Sequence, residues 1–75
     1  MIEKGDIIIV SVLDYTPGLY NGAKDWNANF LRVLRAFRVD DINNNGTIKG
    51  HGFKRDLLYL HENSGAIVRV HKAVQ

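Results

Sequence analysis

After Asp6 the chain reads Ile7, Ile8, Ile9, Val10, Ser11, Val12, Leu13: almost wholly apolar and rich in β-branched side chains. Successive side chains of a strand point to opposite faces, so this run predicts a strand over 6–13 covered from both sides. Wound at helical pitch, Trp26, Phe30, Val33, Leu34 and Phe37 fall in one sector about 100° wide. Arg32, Arg35 and Arg38 fall opposite, and Asp25 suits an N-cap. That spacing predicts an amphipathic helix near 25–38. Read as a strand, Leu31, Val33, Arg35, Phe37 and Val39 would share one face, which Arg35 interrupts. A long bent strand is the alternative reading of these residues.

Thr47 to Phe53 predicts a short strand whose Gly50 and Gly52 mark a bulge or bend. Residues 57–61 and 66–73 are again strand-like and flank Asn63, Ser64 and Gly65, a three-residue loop suited to a hairpin with Gly65 left-handed. That register sets Leu60 against Val68 and Leu58 against Val70 on an apolar face. The opposite face then pairs Tyr59 with Arg69, between His61 and His71. Asn45-Gly46 and Lys54-Arg55-Asp56 are turn signals, and Pro17-Gly18 with Asn21-Gly22 makes 14–24 a surface loop. The loop exceeds the about four to six residues of most connections.

These elements predict a mainly β (α+β) fold. It is a small SH3-like or Sm-like barrel, or a compact antiparallel sheet of roughly four to five strands, with one short amphipathic helix. Two stretches carry the barrel expectation. Gly5-Asp6-Ile7 with Pro17-Gly18 resembles the first strand of bacterial endoribonuclease toxins built on an SH3-like barrel. Gly46-Thr47-Ile48-Lys49-Gly50 with the closing strands resembles the small barrels of the Sm kind. Both resemblances imply a strongly bent barrel, and neither assigns a family.

Composition narrows the classes. A chain of 75 residues, 45% hydrophobic and 24% charged, suits a single globular domain over 1–75 rather than a disordered one. It has no cysteine for a disulfide or a thiolate metal site. No apolar run exceeds four residues, against the about twenty of a membrane helix. Residues 1–6 mix acids with a base and lead straight into a strand, unlike a signal peptide. A soluble, cytoplasmic domain is expected.

The net charge of +2 is unevenly spread. Residues 1–29 hold Glu3, Asp6, Asp14 and Asp25 against Lys4 and Lys24. Residues 30–75 hold Arg32, Arg35, Arg38, Lys49, Lys54, Arg55, Arg69 and Lys72 against Asp40, Asp41, Asp56 and Glu62, with all three histidines. Such asymmetry suits a polyanionic partner.

Catalytic and metal chemistry find little support. Residues 41–48 resemble the start of an EF-hand or dockerin calcium loop, with oxygens at Asp41, Asn43 and Asn45 and a turn at Gly46. The twelfth position, where a bidentate acid belongs, is Gly52, so an Asn-rich turn is the preferred reading. His51, His61 and His71 lack the spacing of a zinc site. Ser11 and Ser64 have no evident His-carboxylate pair. No enzyme activity, metal or cofactor is expected.

Two binding readings remain. The first is a protein-interaction module, an adaptor or inhibitor, meeting another protein or a second copy of itself through Tyr15, Leu19, Tyr20 and Trp26. The second is an RNA or single-stranded DNA binder using Tyr59, Arg69, His61, His71, Arg32 and Arg35. The first is ranked slightly ahead, because a net charge of +2 is modest for a nucleic-acid binder.

Overall fold

The computed structural model describes residues 1–15 and 30–73, apart from the side chains of Tyr15 and Phe30. Among them lie β1 (Ile7–Tyr15), β2 (Phe30–Ile42), β3 (Thr47–His51), β4 (Leu57–His61) and β5 (Ile67–His71). The strands form one open antiparallel sheet in the order β4-β3-β2-β1-β5. Consecutive strands are neighbours except β5, which crosses over to pair with β1. Among the described residues no helix is long and apolar enough to cross a membrane.

β1 follows its sequence pattern. Ile8 and Val10 are buried on the inner face, while Ile7 and Ile9 are half-buried on the outer one. Inside, Ile8 and Val10 join Phe37 and Val39 of β2 and Ile48 of β3 as the core. Leu58 and Leu60 of β4 pack against that cluster from one edge of the sheet, and Ile67 and Val70 of β5 from the other.

Residues 30–38 are strand, which corrects the predicted helix; residues 25–29 lie outside the described residues. The reason is an uninterrupted cross-strand ladder along one edge. β1 pairs with this segment from Ile7↔Arg38 to Tyr15↔Phe30. Phe37 and Val39 point inward on the two-residue period, with Val33 half-buried on the same side. Arg35, which interrupts the strand pattern, is on the inner side too. It is accommodated because its side chain stays exposed and its guanidinium pairs with Asp14 of β1. Of the proposed aromatic cluster, Phe37 is buried, while Trp26 and the Phe30 side chain are outside the description.

A bulge between Val39 and Asp41 resets the alternation, so Val39 and Ile42 both face inward against β3. The strands come close at this point. A Cβ on Gly50 would sit 2.7 Å from the Arg38 carbonyl oxygen, so only glycine fits.

The predicted hairpin between residues 57–61 and 66–73 does not form. β4 pairs with β3 (Leu58↔Gly50, Leu60↔Ile48), and β5 pairs with β1 (Val70↔Ile8, Ile67↔Val10). Leu58, Leu60 and Val70 face inward in either arrangement, so the apolar pattern chose the face and not the partner. A bulge between Ile9 and Val10 leaves Val68, the expected partner of Leu60, exposed.

The Asn-rich segment is a turn. Asn43 Oδ1 accepts from the Asn45 and Thr47 amides at 3.2 and 2.9 Å, and Asn45 Oδ1 accepts from Thr47 at 3.0 Å. Gly46 closes it at φ +90°, where a Cβ would lie 2.8 Å from the His61 ring.

Candidate nucleic-acid interface

The outer face of the sheet is built by register. Leu57, His51, Arg38, Ile7 and His71 form one row across all five strands. On one side of it comes the row Asp41, Lys49, Tyr59. On the other come Ala36, Ile9, Arg69 and then the pairs Leu34–Ser11 and Arg32–Leu13. Partners in register share a face. Arg32, Arg38, Lys49 and Arg69 therefore share this face with Tyr59 and the histidines.

Arg38, Lys49, Arg69 and His71 are exposed, and Tyr59 is 60% exposed. Among the described residues Arg38, Lys49 and Arg69 make no ion pair. Two acids stand among them. Asp40 brackets His51 Nδ1 with both oxygens at 2.8 Å, and Asp41 Oδ1 accepts from the Ile42 amide at 2.9 Å. A carboxylate only accepts, so His51 carries its proton on Nδ1 and its ring is fixed by Asp40. The surface combines exposed cations, an aromatic ring and a floor of half-buried Ile7, Ile9 and Ala36.

The expected site residues part company here. Tyr59 and Arg69 are not cross-strand neighbours: they lie on β4 and β5, the opposite edges of the sheet. Tyr59 has Lys49 beside it and Arg69 has Ile9. Arg32 is on the outer face and donates to the Ser11 carbonyl at 3.3 Å. Arg35 leaves the set, since it faces the other way and pairs with Asp14.

His61 is exposed but both ring nitrogens are engaged. Nε2 donates to the Asn45 carbonyl at 2.9 Å, and Nδ1 accepts from the Asn63 amide at 3.0 Å. A carbonyl can only accept and an amide N–H only donate, which sets this neutral tautomer. His61 is thus a brace between the β2–β3 turn and the end of β4. The three histidines sit on three strands, and no group of three or more metal-ligating side chains gathers among the described residues.

Leu19, Tyr20 and Trp26 lie outside the described residues, and Tyr15 is described only as the last residue of β1. Sequence reasoning missed Lys49 and His51 as outer-face residues. Their two-residue alternation with Ile48 and Gly50 was the available signal. Comparison with family models, with curated proteins and with solved structures found no match to this chain.

Proposed function

We propose that this domain binds single-stranded RNA or DNA, without catalysis, on the outer face of its sheet. The observation that carries the reading is the register that gathers Arg32, Arg38, Lys49, Arg69 and Tyr59 on one face. Single strands are held by cations that track phosphates and by aromatic rings on which bases stack. Tyr59 beside Lys49 supplies both kinds of contact at one edge, and Arg69 extends the charge to the other. Packing of both edge strands against one core supports a sheet that curls toward an SH3-like or Sm-like barrel, leaving this face outward. The test is fluorescence anisotropy with short labelled single strands over a range of salt. Binding is expected to weaken steeply as salt rises, because phosphate contacts release counterions. Absence of binding at low salt overturns the reading.

A second reading, a protein-interaction module, rests on the ribbon formed by the ends of β1 and β2. β3 pairs with β2 only from Arg38 onward, and β5 pairs with β1 only as far as Val10. Leu13, Leu31 and Leu34 beyond those limits are 45–64% exposed. Exposed leucines beside strand edges that have no further strand partner among the described residues suit docking of another chain. Sedimentation of the wild type and of Leu34→Ser tests it: a self-associating species that the variant lacks supports this reading.

A further inference from the structure

We infer that the turn between β3 and β4 is a base-and-phosphate subsite, in which Phe53 stacks a nucleobase while Arg38 and Arg55 hold the flanking phosphate. This deepens the single-strand reading and rests on it. Phe53 is 95% exposed in the turn, so its ring is open to solvent. Beside it runs a groove of about 380 Å³ lined by Ile7, Ala36, Arg38, His51, Gly52, Phe53 and Arg55, among others. That volume is within the about 300–1,000 Å³ of small-ligand clefts. The half-buried Ile7 and Ala36 give it a flat apolar floor. Arg38 and Arg55, with Lys54 at the same turn, make no ion pair among the described residues.

The backbone supplies an independent observation. The turn is closed by the Arg55 amide donating to the Gly52 carbonyl at 3.0 Å and the Gly52 amide donating to the Asp56 carbonyl at 2.9 Å. Arg55 stands at φ 64°, the one non-glycine residue with positive φ among those described. A hairpin turn of this kind takes glycine at that position, because a side chain there strains the backbone. Strain of that kind gathers at functional sites. An arginine in place of glycine adds a cation beside the groove. The acid of the turn, Asp56, lies over Gly52, whose Cβ would meet its Oδ1 at 2.5 Å.

The test titrates wild type, Phe53→Ala, Arg55→Gly and the pair Lys49→Ala/Arg69→Ala with a labelled oligouridylate, and follows wild type by NMR with AMP and with inorganic phosphate. Phe53→Ala is expected to weaken oligonucleotide binding about 5- to 150-fold. Arg55→Gly is expected to lower the salt slope by about 0.7 while keeping or raising Tm. AMP is expected to shift the Phe53 resonances, and inorganic phosphate to leave them in place. If Phe53→Ala and Arg55→Gly bind like wild type while Lys49→Ala/Arg69→Ala does not, the subsite is overturned and the outer-face reading stands. Failure of the wild type to bind overturns both. Loss of self-association in Phe53→Ala with unchanged oligonucleotide affinity makes the turn a protein contact and also overturns the subsite.

Discussion

The Asp6 carboxylate accepts a hydrogen bond from the Lys72 ammonium at 2.6 Å, tying the entry to β1 to the residue just after β5. Asp6 is buried, 1% exposed, and its oxygens also accept from the Ala73 amide at 3.0 Å and the Glu3 amide at 2.8 Å. Its own carbonyl accepts from Val39 at 2.8 Å, so one residue joins both ends of the chain to β2. A buried carboxylate needs this full set of donors.

That junction makes stability acid-sensitive in a defined direction. The Lys72 and Ala73 hydrogen bonds, opposed by burial, lower the Asp6 pKa from 3.8 to about 2. In the unfolded chain the group takes up its proton at the higher value, so its contribution is complete above about 3.8 and disappears as pH falls toward about 2. The Lys72 pKa is raised above 10.5 by the same contact, so its contribution is present below that value and fades at still higher pH. Urea unfolding across the acid range is expected to show a steep limb in wild type that Asp6→Asn lacks.

Phe37 and Phe53 have opposite surroundings, 4% and 95% exposed. Phe37→Ala is expected to cost about 3–5 kcal/mol, a large share of the stability of a small domain. Phe53→Ala is expected to stay within about 0.5 kcal/mol of wild type. Paired denaturant curves give both differences directly.

Gly46→Ala strains a backbone at φ +90° and drives a Cβ into the His61 ring. The conformation alone costs about 1–2 kcal/mol. The loss is expected to be smaller when His61→Ala is made alongside, which a double-mutant cycle measures.

Tyr59→Ala is expected to remove about 1–3 kcal/mol of single-strand affinity. Lys49→Ala and Arg69→Ala are each expected to reduce the salt slope by about 0.7. Arg35→Ala, on the inner side with Asp14, is expected to leave that slope unchanged. Salt titrations by anisotropy separate the four variants.

Much of the strand content was legible locally. β1 and the strand character of residues 57–61 and 66–73, within which β4 and β5 lie, follow from short apolar runs, and the Asn45-Gly46 turn follows from its dipeptide. Residues 30–38 misled because their apolar spacing satisfies both a helical wheel and a strand. Phe37 faces the core in either case, and only the ladder with β1 decided between them. Tyr59 and Arg69, read as cross-strand neighbours, are both exposed but stand at opposite edges, because each strand found a different partner.

The sequence by itself determined the alternation of β1, where Ile8 and Val10 turn inward, since alternation along a strand is a property of neighbouring residues. It also determined the absence of thiol chemistry and the concentration of cations after residue 30. Tertiary structure decided which strand lies beside which. β5 reaches back to β1, so that Val70 meets Ile8, instead of folding onto β4 next to it. Pairing of that kind is set by competition among distant edges for one core. Residue-to-residue spacing carries no record of that competition, and so the face that collects Arg38, Lys49, Tyr59 and Arg69 exists only once the sheet has assembled.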